Sequence, residues 1–380
     1  GSSTSDSTAL APPSRPHRRD PVPRMPLRVG IIGTGWGCKV QVPIFRKAGL
    51  EVTAIYSRDK AKGEKMASSL GIPHAFDSID AICGCPQVDL VSVVSPTFLH
   101  AEHAIAVLRA GKHLLSDKPT AVSAEEAASI VAEATKRPKQ IAIIDHELRF
   151  TKAARAARDV VASGALGAVR HVSAQFLLNM GGLGKNYSWW HDRSKGGGVS
   201  GALGVHVVDL CAFVTGRRIA KVAGHASTFI KEKPVKGTSQ AQTATADDFF
   251  TITGQLEGGG AVSIVVSGVS QAKPSRSVTV AGDQGTVVVD LDKVTATHYD
   301  AKGKEVAKVS DNAPDAFMQG TLVLAEALVA SGGDPSSPTL APACSVSEGM
   351  YVQSVIDAML KSSDTGSVVS VALPPAAARL

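Results

Sequence analysis

Between residues 27 and 144, short apolar runs alternate with stretches whose apolar positions recur every three or four residues. That pattern predicts strands separated by helices. The runs at 27–32, 52–56, 88–94, 113–115 and 141–144 read as strands. Helices are expected at 60–70, 98–110 and 124–136, with another entering after the first strand and running to residue 48. Such repetition implies a parallel, doubly wound sheet, so the fold class is α/β. Further on, 169–178, 249–256, 261–268, 278–281 and 286–290 are apolar and β-branched. Several are bounded by Gly or Asp turns, and they read as strands of a second sheet.

A chain of 380 residues is too long for one ordinary core, and two domains are expected, at 26–150 and 151–380. Residues 1–25 are rich in Ser, Pro and Arg and nearly free of aliphatic side chains. They read as a disordered leader or an expression remnant outside the fold. Arg15, Arg18, Arg19 and Arg24 suit an organelle transit peptide, an idea that Asp6 and Asp20 weaken.

Composition removes several classes of function. With 44% hydrophobic and 19% charged residues the chain reads as soluble and globular. Its net charge of +6 comes from scattered Lys and Arg mixed with acids, without a basic stripe, so no nucleic-acid partner is expected. No apolar run reads as long enough to cross a bilayer, so no membrane is expected either. The five cysteines are odd in number and widely spaced, which argues against a disulfide framework and for a reducing, cytoplasmic compartment. Cys83-Gly84-Cys85 lacks a second ligand pair nearby, and no metal is expected.

Two stretches carry candidate chemistry. The first strand runs into Gly33-Thr34-Gly35-Trp36-Gly37-Cys38 and then a helix, the context that a dinucleotide fingerprint requires. Glycines there permit a tight turn and let backbone amides approach a pyrophosphate. The third glycine of G-x-G-x-x-G is replaced by Cys38, a residue small enough to keep the helix close. After the second strand, Ser57 and Arg58 suit the 2′-phosphate of NADP, while Asp59 stands where a ribose ligand for NAD could reach. NADP is the preferred cofactor and NAD the other possibility.

The second stretch is Ser116-Asp117-Lys118-Pro119, at the end of the fourth strand. Pro119 biases Lys118 toward an extended backbone and limits where its ammonium points. At the carboxyl end of a strand in an open α/β sheet such a lysine is a candidate proton donor or hydroxyl anchor. The alternative is a surface lysine before a turn.

Further motifs follow in order: Ser95-Pro96-Thr97 with His100, Ala110-Gly111-Lys112-His113, His146-Glu147-Leu148-Arg149-Phe150, and Gly196-Gly197-Gly198 before His206 and Asp209. Together with the glycine turn and Asp117-Lys118-Pro119 they resemble the Gfo/Idh/MocA oxidoreductases. The likeness covers nearly everything after the leader. It implies an N-terminal Rossmann domain and a C-terminal α+β domain. The second domain would carry a large open, mostly antiparallel sheet, and its last segment is allowed to pack back on the first. It also implies a homodimer or homotetramer built through that sheet.

By residue, the resemblance implies that Gly33, Gly35, Trp36, Gly37, Cys38, Ser57, Arg58, Ser95, Pro96, Thr97, His100, Asp117 and Lys118 surround the cofactor. Lys118 would anchor the reacting oxygen and His206 would transfer its proton. Asp209, three residues after His206, either orients the imidazole or is a structural polar group. Ala202 stands where many members have an aspartate, which puts an inositol-type polyol in doubt. Trp189 and Trp190, in the densest aromatic cluster, floor a substrate pocket or pack under a loop. His146 either faces substrate or caps a strand. Arg149 contacts the cofactor or a carboxylate, or bridges the domains.

The expected function is hydride transfer between a nicotinamide and a secondary alcohol or ketone of a sugar, sugar derivative or cyclic diol. A dinucleotide-sensing regulator without chemistry, like the fungal repressor of galactose genes, and a glycosidase using bound NAD as an internal oxidant are the alternatives.

Overall fold

In the computed structural model, residues 26–271 and 273–372 are described, and the leader expected at 1–25 lies outside them. The first half reads β1 (Arg28–Ile32), α1 (Val42–Ala48), β2 (Glu51–Tyr56), α2 (Lys60–Leu70), β3 (His74–Phe76), α3 (Ile79–Gly84), β4 (Leu90–Val93), α4 (His100–Arg109), β5 (His113–Asp117), α5 (Ala124–Thr135) and β6 (Ala142–Asp145). Local chemistry marks the starts: Asp59 caps α2, and Ser123 caps α5. A π-helical turn, Gly37–Gln41, leads into α1.

The second half continues with α6 (Lys152–Ala162), β7 (Val169–Leu177), α7 (Val205–Thr215), β8 (Ile219–Ser227), β9 (Glu232–Pro234), β10 (Ala241–Thr243), β11 (Phe249–Leu256), β12 (Ala261–Ser267), β13 (Ser275–Gly282), β14 (Gly285–Asp290), β15 (Thr295–Asp300) and β16 (Glu305–Ser310). It ends with α8 (Ala316–Ser331), β17 (Cys344–Ser345), α9 (Val346–Thr365) and β18 (Val369–Ser370).

The first sheet has the order β17-β6-β5-β4-β1-β2-β3, with β1 to β6 parallel and β17 antiparallel on the edge of β6. Chain order reverses between β1 and β4, so a crevice opens above their carboxyl ends. The second sheet, β16-β15-β14-β13-β7-β12-β11-β8-β18, is antiparallel except between β7 and β12. Its strands alternate: Val172, Ala174, Phe176, Ile264 and Val278 point into the core, while Ser173, Gln175, Ser263, Ser277 and Thr279 face outward.

The C-terminal segment returns to the first sheet. Leu324 and Leu328 of α8 join Phe45 of α1 in one buried cluster, and α9 packs against α5. The run Arg193–Thr215 corrects one expectation, since its length and apolar composition would suit a bilayer. It lies in the protein core, with 94% of its most apolar window buried. All five cysteines are buried and free.

Candidate active site

The turn after β1 builds one end of a cleft of about 680 Å³. Gly33 has φ 139°, and a Cβ there would meet the Val94 carbonyl oxygen at 2.3 Å, so only glycine fits. A Cβ on Gly35 would meet nothing within 4 Å, which leaves room for a phosphate to approach the backbone. Gly33, Thr34, Gly35 and Trp36 line the cleft. Gly37 and Cys38 do not: Gly37 packs on Ile31, and Cys38 is buried with its thiol 3.6 Å from the Gly33 carbonyl. Both support the turn from beneath, which corrects their expected contact with the cofactor.

At the adenosine end of such a dinucleotide, Ser57 and Arg58 line the cleft together with Tyr56 and Lys62. Asp59 lines it too, with one carboxylate oxygen capping α2 by accepting the Lys62 amide at 3.0 Å. The residues present fit a dinucleotide: a glycine turn with open space, then two cations and one acid at the far end. Ser95, Pro96, Thr97 and Asp117 line the same cleft. His100 also borders it, but both ring nitrogens are engaged by the carbonyls of Pro119 and Ser95, each at 2.7 Å, so it ties the two loops together.

At the other end, Lys118 and His206 meet on one wall, with Trp189, Trp190, Ala202, Leu203 and Phe317 around them. Lys118 Nζ donates to the Ala202 carbonyl at 2.9 Å. The peptide between Lys118 and Pro119 is cis. His206 lies one residue into α7, which follows a π-helical turn, Ser200–Gly204. Asp247 caps that turn from a distant loop, accepting from the Ser200 amide at 2.9 Å and its hydroxyl at 2.7 Å. Gly198, with φ 97°, makes the cap possible, since a Cβ there would stand 2.3 Å from the Asp247 carboxylate. The indoles of Trp189 and Trp190 stack with centroids 4.0 Å apart.

Three expected residues lie elsewhere. Asp209 does not orient His206: Arg149 takes both its oxygens, with Nε at 2.9 and 3.0 Å and Nη2 at 2.6 Å. Arg149 is therefore not at the cofactor; it also reaches Glu348 at 2.9 Å and ties the α6 approach, α7 and α9 together, the inter-domain bridge left open above. His146 is buried behind His206, ring centroids 5.9 Å apart, and does not line the cleft. His146 sits between the end of β6 and the turn that follows it, and its side chain takes the inward side. His146, Asp209 and Cys344 bring ligand atoms within 4.8 Å of one another, but Arg149 already neutralises Asp209.

Asp145, the last residue of β6, and Glu147, the first of a 3₁₀ turn at Glu147–Phe150, both line the cleft, and neither was singled out from the sequence. Asp145 accepts from Gln41 Nε2 at 3.1 Å, and Ser92 donates to the other end of that amide at 2.7 Å. Burial, with the Asp117 charge adding, pushes the Asp145 carboxyl up to about 7. Burial and the charge of Asp145 also hold Glu147 well above the usual carboxylate range, with Lys118 opposing. Burial, then Lys118 and His146, drive His206 well below its ordinary value, so its imidazole is neutral. A neutral imidazole beside a lysine with spare N–H donors is equipped to move a proton to or from an oxygen held between them.

Comparison with known proteins identifies the family and the fold. Residues 27–145 match the oxidoreductase family with an NAD-binding Rossmann fold, and 154–288 match the GFO/IDH/MocA C-terminal domain. Glucose-fructose oxidoreductase domain-containing protein 1 of Mus musculus is 26% identical over 367 residues, covering 91% of this chain and 92% of its own. An oxidoreductase domain protein from Kribbella flavida superposes with a TM-score of 0.81 at 27% identity, over 92% of this chain and 100% of that one. Levoglucosan dehydrogenase in complex with NADH and L-sorbose shares the fold at a TM-score of 0.81 and 21% identity, with the same coverage. The chain is a member of the Gfo/Idh/MocA family of NAD-binding oxidoreductases.

Proposed function

We propose that the chain moves a hydride between a nicotinamide and a secondary alcohol or ketone of a sugar, a sugar derivative or a cyclic diol, with NADP preferred over NAD. The observation that carries this reading is that Lys118 and His206, one from each domain, line the same cleft that begins at the Gly33 turn, with Lys118 tied to the turn just before His206. A bound dinucleotide supplies the hydride acceptor or donor. Lys118 keeps two N–H donors beyond the one given to Ala202, and these hold and polarise the reacting oxygen. His206 takes or returns its proton. The stacked Trp189 and Trp190 offer an apolar face of the kind that sugar rings lie against. Arg58 and Lys62 favour a 2′-phosphate, and the sugars in the mouse relative's name favour the substrate class.

Fluorescence titration with NADPH and NADH, followed by a screen of sugars and diols at the reduced-nicotinamide absorbance, tests the reading. Net reduction supports it. Hydrolysis without net reduction would make the chain a glycosidase, and tight cofactor binding without turnover of any compound would make it a sensor. We also infer pairing of copies through the outward face of the nine-stranded sheet. Light scattering that returns the 39.2 kDa mass of one chain would end that inference.

A further inference from the structure

His206 Nδ1 is buried and has no hydrogen-bond partner. Among the described residues the carboxylate within ion-pair distance of it is Glu147, with Oε2 at 3.9 Å. Both side chains are at least nine-tenths buried, and both border the cleft. Their frames are fixed. A Cβ on Gly320 of α8 would meet the Glu147 carbonyl oxygen at 2.3 Å, so that helix lies directly on the Glu147 backbone. The His206 ring is wedged edge-on between Phe317, 5.1 Å away, and His146. Ala202 offers a methyl group where a carboxylate could have stood, and Asp209 is held by Arg149.

We propose that Glu147 and His206 form a two-residue proton relay, in which Glu147 exchanges a proton with Nδ1 while Nε2 serves the reacting oxygen. This rests on the hydride-transfer reading above and deepens it. In oxidation, the carbinol C–H pair leaves as hydride, the hydroxyl proton passes to Nε2, and the Nδ1 proton passes to the Glu147 carboxylate, leaving a carbonyl. In reduction, Nε2 gives its proton to the oxygen of the ketone as hydride arrives at carbon, and Glu147 returns a proton to Nδ1. One proton and one hydride move each way, and no further reactant is needed.

The charged and titratable groups facing the pair are Asp117 at the end of β5, Lys118 just after it, Asp145 from β6, His146 beside Glu147, and the Arg149–Asp209 pair behind. Burial first, with Asp145 and Asp117 adding at the carboxyl and Lys118 and His146 adding at the imidazole, favours the neutral form of each, which is the proton-loaded state, while Lys118 opposes it at Glu147. Loaded, the relay donates from Nε2; once Glu147 ionises, the tautomer inverts and Nε2 becomes the acceptor. The ionisation of Glu147 therefore selects between reduction and oxidation.

Imidazole-¹⁵N spectra of the full chain, alone and with NADPH, test this without any substrate. The His206 signal is the one absent from H206N. In the wild type it should change from the Nε2–H to the Nδ1–H tautomer as pH rises, with no imidazolium on the way. In E147Q the tautomer should be independent of pH, and E147D should restore the change. A His206 that protonates like a free imidazole near pH ~6.5 in both wild type and E147Q overturns the relay. So does a tautomer change that survives in E147Q or never appears in the wild type. A failed substrate screen would instead remove the oxidoreductase reading and leave the tautomer result standing.

Discussion

The ammonium of Lys118 donates to the backbone carbonyl of Ala202 at 2.9 Å, which fastens the end of β5 to the helical turn just before His206. The bond spends one of three N–H donors to aim the other two into the cleft. Because the anchor is a main-chain carbonyl, the direction of the amine is set by the fold and not by another side chain.

Replacing Lys118 with Gln should lower kcat by about 10²–10⁴-fold, the range for removing a positioned proton-handling group. The Kd for NADPH should change less than about threefold, since the glycine turn and the adenosine end are untouched. Steady-state rates beside a fluorescence titration check the split. Equal losses of binding and rate would mean that Lys118 holds the cofactor only.

Arg149 and Asp209 are both almost wholly buried, and breaking such a pair strands a charge. R149A or D209A should each lower unfolding stability by about 3–5 kcal/mol. Neither side chain lines the cleft, so the folded fraction should bind NADPH as the wild type does. Urea titration gives the first number and fluorescence the second. Lost NADPH binding at full stability would return Arg149 to the cofactor.

Much of the site could be read from the chain because its parts are local. The Gly33 turn, Ser57-Arg58 and Asp117-Lys118 each sit at a strand end, where topology alone points them at one crevice. His206 required the family likeness, since nothing in an apolar helix announces which buried imidazole is aimed outward. Asp145 and Glu147 flank His146, but β6 ends at Asp145 and a 3₁₀ turn begins at Glu147, so no strand period in the sequence marks which of the three side chains reach the cleft. Phe317, Gly320 and Thr321 carried no such signal, for they come from a helix that folds back from beyond the second sheet. The same holds for β8, β15 and β16, whose mixed composition is settled by neighbouring strands rather than by their own pattern.

Arg58 and Lys62 are two cations at the adenosine end, where Asp59 also lines the cleft while one of its oxygens caps α2, and on the proposed reading these two cations set coenzyme choice. R58A and K62A should each weaken NADPH about tenfold, about 1.4 kcal/mol, and leave NADH within about twofold. The double variant should prefer NADH. Titrations of the three variants with both coenzymes decide it. A uniform loss for both would place the two cations on the shared pyrophosphate.

The Asp145 carboxyl gives the fold a pH dependence whose sign can be worked out. Its native value is raised to about 7 from an ordinary 3.8, with burial as the first cause and the Asp117 charge as the second. The folded state therefore favours the protonated form. The stability this contributes is complete below 3.8 and is lost as pH climbs to about 7. Melting temperature should accordingly fall across that window, on top of whatever the remaining groups contribute. D145N keeps an acceptor for Gln41 and cannot ionise, so its melting temperature should fall less over the same range. Calorimetry of both proteins at matched ionic strength measures the difference. Parallel curves would mean that Asp145 is ionised in the native protein at neutral pH, with Lys118 and Gln41 sufficient to hold the charge.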